Sequence, residues 1–140
     1  SERAYTAFAQ EHSFQANYWR DPFKYDEYLK FSQLAVYNNE VSPMNATFNA
    51  NWSKTQQFVW IKADDETMVY PPQGEQWGQP DPDDPTKIVP MIETNWYKSD
   101  LFGLRTADEQ HKNFFEHFPG DHLQFELADL HRWINTYLVA

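Results

Sequence analysis

Two short turns carry the residues of this sequence that could do chemistry together. Residues 64–66 are three consecutive carboxylates after one apolar run, and residues 120–122 are Gly-Asp-His after a second. An imidazole can take the proton of a serine hydroxyl, which is a poor nucleophile without such a base. A carboxylate bound to the same ring holds it in one tautomer and stabilises the imidazolium. If the two turns are in contact, the pattern indicates a base, His122, with its orienting acid. If they are not, His122 is an ordinary surface histidine.

Two strands and a C-terminal helix are the elements that would position these turns. Residues 58–61 are β-branched and aromatic, which predicts a buried strand of a parallel sheet covered on both faces. Residues 114–118 predict a second strand, and Gly120 allows the positive φ that would present His122 over the strand ends. Residues 127–138 have apolar side chains at the spacing of an amphipathic helix.

The rest of the chain is predicted to surround these strands. The sequence predicts helices over 2–18 and 26–37, a short helix over 45–54, an extended segment over 88–92 and one or two helical turns within 100–112. Two strands are too few for an independent sheet. The sequence shows neither an internal repeat nor a second domain. We therefore expect residues 1–140 to be the C-terminal part of a single domain.

The order of these features is that of α/β-hydrolases. In that fold the serine, the acid and the histidine follow one another along the chain, with the histidine between the last strand and the C-terminal helix. The predicted fold class is α/β: the last strands and helices of a mostly parallel α/β-hydrolase sheet, incomplete on its own. The sequence contains no G-x-S-x-G, so the nucleophile is expected to lie outside these residues.

Composition excludes several other classes of function. Aromatic residues make up 18% of the chain, which favours a packed core over disorder. Acidic residues outnumber basic ones by 21 to 11, which argues against nucleic acid or an anionic membrane as the main partner. The absence of cysteine excludes thiol nucleophiles and disulfides within these residues. No apolar run is long enough for a transmembrane segment. No signal peptide is expected at Ser1, so the chain is either mature or lacks its front.

The remaining histidines and the sequons carry weaker signals. The histidines other than His122 are expected on the surface, and no metal or cofactor is predicted because their spacing is not that of a metal site. Asn45 and Asn51 each begin an N-x-S/T sequon. They indicate either glycans on a secretory-pathway protein or two unmodified polar turns.

Four segments together resemble the C-terminal half of palmitoyl-protein thioesterases. The resemblance runs from about Ala4 to the end of the chain, and its most specific pieces lie at residues 15–22, 92–97, 102–104 and 120–124. It implies a lysosomal or secreted α/β-hydrolase that removes long-chain fatty acyl groups from thioesters. The implied partners are S-acylated proteins or acyl thioesters as substrates, and the N-terminal half of the same fold, which would carry the serine.

The resemblance also implies roles for individual residues. His122 stands at the position of the family's catalytic histidine. The family's acid is an aspartate five residues before a proline; counting back from Pro71 reaches Glu66, and Asp65 would serve if the turn shifts by one. Asp121 is expected to form the turn, and Asn45 matches a family glycosylation position. Some of four tryptophans are expected to line an acyl groove: Trp52, Trp60, Trp77 and Trp96.

Two functions remain open from the sequence. The first is the C-terminal part of a palmitoyl-protein thioesterase-like hydrolase that supplies the histidine and the acid. The second is a non-catalytic relative, retained as a binding or structural component, because the acid position holds a glutamate and no serine elbow is present.

Overall fold

A parallel pair of strands forms the base on which the two turns lie. In the computed structural model, which describes residues 3–139, the strands are β1 (Phe58–Ala63), β2 (Gln79–Pro80), β3 (Ile88–Val89) and β4 (Asn113–Phe118). β1 pairs with β4 in parallel, from Phe58 opposite Asn113 to Ala63 opposite Phe118. Both strands therefore end at the same edge of the sheet. There the acid turn (residues 64–67) follows β1, and the histidine turn (residues 119–122) follows β4.

The two predicted strands are confirmed, and the chain is of mixed helix and strand with a parallel pair, as an α/β fold requires. The predicted burial of β1 on both faces is wrong: residues 58–62 are half-buried, and only Ala63 is fully buried. Within residues 3–139, β1 and β4 have no other strand beside them, so their outer edges are unpaired. β2 and β3 form a separate antiparallel pair, and the predicted extended segment 88–92 turns into a 3₁₀ helix at Met91.

Short helices surround the strands. The α-helices are α1 (Ala7–His12), α2 (Phe14–Asn17), α3 (Tyr25–Phe31), α4 (Gln33–Tyr37), α5 (Ala46–Lys54), α6 (Asn95–Lys98), α7 (Leu104–Glu109) and α8 (Leu127–Trp133). Single 3₁₀ helices lie at Pro22–Lys24, Pro72–Gln76 and Met91–Glu93, and a π-helix spans Ile134–Leu138. No helix within residues 3–139 is long and apolar enough to cross a membrane.

Serines divide the two longest predicted N-terminal helices. The predicted helix 2–18 is two helices, because Ser13 has the extended angles φ −122° and ψ 108°; its first residue lies outside the described part of the chain. The predicted helix 26–37 breaks at Ser32, whose Oγ accepts a hydrogen bond from Leu34 N at 3.2 Å and so begins α4. Serine competes for backbone donors in this way and favours helix ends over helix interiors. The predictions for 45–54 and 100–112 are confirmed by α5 and α7.

The C-terminal helix packs behind the ends of the paired strands. Trp133 is buried against Ala63 and Phe118, which confirms a helix within 127–138. Its apolar face is only partly covered, however, since Leu138 is 70% exposed. The last turn is a π-helix, which departs from the period of 3.6 residues on which the prediction rested.

A buried ion pair joins the N-terminal helices. Arg20 Nη2 lies 2.8 Å from Glu40 Oε2, and the Glu40 side chain is only 1% exposed. The hydroxyls of Tyr25 and Tyr28 each donate to Glu40 at 2.8 Å. The Arg20 guanidinium also lies 4.1 Å from the centroid of the Trp96 ring, which attaches these helices to α6. Burial, together with the charge of Glu40, raises the pKa of Tyr25 to about 12, so the tyrosine remains a donor.

Removing the Glu40 charge should destabilise the protein strongly. Glu40→Gln would leave the buried Arg20 guanidinium without its counter-charge, so the free energy of unfolding should fall by about 3–5 kcal/mol in denaturant titrations. Lys87→Gln breaks an exposed pair with Asp84 and should change it by less than about 0.5 kcal/mol. Equal effects of the two substitutions would show that the buried pair is not important for stability.

Candidate active site

Backbone hydrogen bonds extend the strand pairing into the two turns. Asp64 N donates to Phe118 O at 3.0 Å, and Asp65 N donates to Gly120 O at 2.9 Å. Gly120 has a φ of 130°, which confirms the positive φ predicted for it and which side chains other than glycine rarely adopt. The acid turn and the histidine turn are thereby held side by side rather than diverging after the sheet.

The structure brings His122 and Glu66 into direct contact. His122 Nδ1 lies 2.7 Å from Glu66 Oε2, and the Glu66 side chain is fully buried. Glu66 Oε1 accepts from the backbone N–H groups of Met68 and Val69 at 2.6 and 2.7 Å. Because both carboxylate oxygens are bound, the carboxylate has one orientation. A proton on Nδ1 directed at Glu66 leaves Nε2 of the ring as the proton acceptor.

The same contacts keep Glu66 ionised. Burial opposes ionisation, but the hydrogen bonds from Val69, His122 and Met68 outweigh it and hold the pKa of Glu66 below its usual value. The carboxylate is therefore charged in mildly acidic as well as neutral solution.

The neighbouring aspartates have other contacts. Asp65 is exposed and is held through its backbone, so of the two acids weighed from the sequence it is Glu66 that meets the ring. Asp121 Oδ1 accepts from Thr67 N at 2.9 Å and from His122 N at 2.7 Å. The hydrogen bonds from Thr67 and from the His122 backbone lower the pKa of Asp121. Asp121 thus links the two turns, as expected of a turn former.

Sequence reasoning missed a third group at the site, Glu75. It lies on the 3₁₀ helix Pro72–Gln76, where its Oε2 accepts from Ala63 N at 2.9 Å and its Oε1 lies 3.6 Å from His122 Nδ1. Burial raises the pKa of Glu75, and the charge of Glu66 raises it further. The residue lies in an irregular proline-rich segment without periodicity, so only its acidic type could have drawn attention to it.

Three of these side chains lie close enough together to hold a cation. One ligand atom each from Glu66, Glu75 and His122 lies within 4.8 Å of the others. A cation would have to replace the hydrogen bonds that His122 Nδ1 and Glu66 already make, so we assign no metal to this site. The other histidines, His12, His111, His117 and His131, are exposed as predicted.

A cavity of about 320 Å³ adjoins the acid turn. Met68 and Val69, whose N–H groups hold Glu66, form part of its wall. Of the four tryptophans considered for an acyl groove, Trp77 and Trp96 line this cavity. Trp52 and Trp60 instead stack on Phe58, with centroid separations of 4.4 and 5.5 Å, and belong to an aromatic cluster beside the sheet.

Comparisons with known proteins give one family match and several relatives. A family model described as palmitoyl protein thioesterase matches residues 1–122, a range that includes both turns. The chain is 38% identical over 122 residues to palmitoyl-protein thioesterase 1 of Caenorhabditis elegans, covering 86% of the chain and 41% of that protein.

Other relatives give similar figures. Palmitoyl-protein thioesterase 3 of Dictyostelium discoideum is 33% identical over 101 residues, covering 71% of the chain and 35% of the relative. A lysosomal thioesterase of Xenopus laevis is 32% identical over 109 residues, covering 76% and 37%. The chain therefore spans about two fifths or less of the length of these curated relatives.

The Glu66 contacts predict a specific dependence of stability on pH. The pKa of Glu66 in the folded state lies below its usual value of about 4.5. The stabilisation that the ionised Glu66 gives the fold is therefore present above pH 4.5 and is lost as the pH falls through the folded-state pKa. Glu66→Gln cannot ionise, so its free energy of unfolding should fall less steeply below pH 4.5 than that of the wild type. Denaturant titrations between pH 3 and 7 measure this.

Asp65→Asn is the matched control for that experiment. It removes a neighbouring charge but leaves the Glu66–His122 contact, so its acid-dependent loss of stability should persist. If Glu66→Gln and the wild type lose stability in parallel, the ionised contact is not what stabilises this edge.

Proposed function

Because the chain belongs to the palmitoyl protein thioesterase family, we propose that it is the C-terminal part of a serine hydrolase that cleaves long-chain acyl thioesters. The observation that supports this most directly is the 2.7 Å contact between Glu66 and His122 beyond the carboxyl ends of two parallel strands. In α/β-hydrolases the acid and the histidine occupy this position. His122 is the proposed base, and Glu66 is the proposed orienting acid in preference to Asp65.

The proposed mechanism passes through an acyl-enzyme. His122 Nε2 takes the proton of the serine hydroxyl as its oxygen attacks the thioester carbonyl. The tetrahedral intermediate collapses, the carbon–sulfur bond breaks, and the imidazolium gives its proton to the leaving thiolate. A water molecule, deprotonated by the same nitrogen, then attacks the acyl-serine ester. As the ester bond breaks, the imidazolium returns that proton to the serine oxygen, and the fatty acid is released. Glu66 stabilises the imidazolium in both steps while its orientation is held by the Met68 and Val69 amides.

The serine is proposed to come from the N-terminal half of the same hydrolase domain, of which residues 1–140 are one part. Two observations support this. The chain contains no G-x-S-x-G, and its relatives are more than twice its length. In addition, the outer edge of β1 has no strand beside it within residues 3–139. We refer to the chain joined to its serine-bearing N-terminal segment as the assembled hydrolase.

The cavity beside the acid turn is the proposed binding region for part of the acyl chain. Trp77 and Trp96 give it apolar walls, and Met68 and Val69 place it next to Glu66. An apolar channel of this kind excludes water from an alkyl chain. The substrates would be S-acylated proteins or small acyl thioesters.

A lysosomal or secreted location is proposed on two grounds. One relative is itself named a lysosomal thioesterase. Asn45 and Asn51, the two sequon asparagines, are both exposed. Asn45 begins α5 by accepting from Thr47 N at 2.9 Å through its side-chain oxygen. That contact leaves the amide nitrogen of Asn45, the atom to which a glycan attaches, uninvolved.

The catalytic roles predict sharply different effects for neighbouring substitutions. In the assembled hydrolase, His122→Ala should lower kcat by at least about 10⁴-fold, and Glu66→Gln by about 10³–10⁴-fold, because the ring loses its base or its orienting charge. Asp65→Asn should stay within about twofold of wild type. Release of the thiol from a palmitoyl thioester, followed with a thiol-reactive dye, measures the rates.

The rival function makes the opposite prediction. A non-catalytic binding component, favoured by the glutamate at the acid position, would give an assembled hydrolase with no turnover above the His122→Ala background. Full activity in the Glu66→Gln variant would instead disprove the assigned acid.

The sequons predict two glycans after expression in a eukaryotic secretory host. Thr47→Ala should remove the glycan at Asn45, and Ser53→Ala the glycan at Asn51, each as one step in electrophoretic mobility. These substitutions keep both asparagines and therefore the helix-capping contact of Asn45. Mobility that glycosidase leaves unchanged would show that the sequons are unmodified turns.

A further inference from the structure

Two carboxyl groups face the same ring nitrogen of His122. Glu66 lies at 2.7 Å from Nδ1, within hydrogen-bonding distance, whereas Glu75 lies at 3.6 Å. Nδ1 carries a single proton, and the hydrogen bond that this proton makes is accepted by Glu66. Glu75 therefore has no hydrogen bond from the ring. A negative charge on Glu75 would also be repelled by the nearby charge of Glu66.

The two carboxyl groups differ in the number of donors that hold them. Glu66 accepts from three donors: the Met68 and Val69 amides and His122. Glu75 accepts from one, the Ala63 amide, and its side chain is only 15% exposed. A proton shared between the two groups therefore resides on Glu75, and burial raises the pKa of Glu75 in the same direction.

Two other acidic groups that follow β1 and β4 have hydrogen-bond partners of their own. Glu66 of the acid turn and His122 of the histidine turn are the titratable groups that face Glu75. Asp64 is bound to Lys62 at 3.1 Å and to His117 at 2.9 Å. Asp121 is bound to Thr67 and to the backbone N–H of His122, so its charge lies near the ring whichever state Glu75 is in.

We propose that Glu75 is a positioning residue that shares a proton with the Glu66–His122 pair and sets the pH range in which that pair acts as a base. The inference rests on the proposed function. With Glu75 protonated, the imidazolium is bound to one ionised carboxylate, that of Glu66. When Glu75 ionises, the charge of a second carboxylate, 3.6 Å from Nδ1, stabilises the imidazolium, so that the Glu66–His122 pair keeps its proton to higher pH. The Glu75 carboxyl group can exchange its proton with bulk water because its side chain is 15% exposed.

The test is an NMR titration of the His122 ring in the assembled hydrolase. Glu75→Gln keeps the oxygen that accepts from Ala63 N but cannot ionise, so the His122 midpoint should move down by about one pH unit or more. Asp65→Asn, which removes one charge from the adjacent turn, should move it by less than about 0.3 pH units because exposed charges are screened. Glu75→Asp, which restores an ionisable group, should move the midpoint back toward wild type.

Activity provides the functional counterpart. The pH at which kcat/KM reaches half its plateau on the acidic side should fall in Glu75→Gln by the same amount as the NMR midpoint. A rate lowered equally at all pH values, with an unchanged midpoint, would overturn the proposal and show that Glu75 only supports the end of β1.

A wild-type measurement makes the result independent of how any variant folds. The Glu75 carboxyl ¹³C signal should still be titrating in the range where His122 titrates; complete ionisation by pH 4 would overturn the proposal. The NMR titrations do not require turnover. A shifted His122 midpoint in a protein without thioesterase activity would therefore reject the proposed function while supporting the proton-sharing role of Glu75.

Discussion

The register of the parallel pair β1–β4 is the constraint on which the rest of the site depends. Ala63 lies opposite Phe118, so the residues that follow each strand emerge at the same level of the sheet. The bonds from Asp64 N and Asp65 N continue that register beyond the last strand residues. Because side chains alternate between faces, a slip of one residue would turn the side chains of β1 to the opposite face and shift the acid turn relative to the histidine turn.

Burial then makes the contact effective. A carboxylate without water is costly unless donors satisfy it, and Glu66 obtains its donors from two backbone amides and one imidazole. The segment that supplies the amides also forms a wall of the apolar cavity. Orientation of the acid and the shape of the adjacent cavity are therefore properties of one stretch of backbone.

The helical segment before β1 is held by a different kind of interaction. The buried pair of Arg20 and Glu40 attaches the N-terminal helices to one another, and the contact of Arg20 with Trp96 attaches them to α6. Trp96 in turn lines the cavity beside the acid turn. Packing of the distant helices is thus linked physically to the neighbourhood of His122, although none of these helices contributes a side chain to the Glu66–His122 contact.

The sequence by itself determined the local elements. Runs of apolar and aromatic residues marked β1 and β4, a helix was predicted over residues 45–54, and Gly120 marked the turn before His122. These features depend on neighbours a few residues apart, which a sequence displays directly. The family, too, could be inferred from the spacing of a few segments.

Only the tertiary structure decided which acid meets the ring. Glu66 and His122 are 56 positions apart, and the choice over Asp65 depends on the direction in which each side chain leaves a turn held against the neighbouring strand. Glu75 escaped prediction for the same reason, since its approach to His122 depends on the docking of an irregular segment against β1. The half-burial of β1 likewise depends on which elements pack against its faces, and no local pattern encodes that packing.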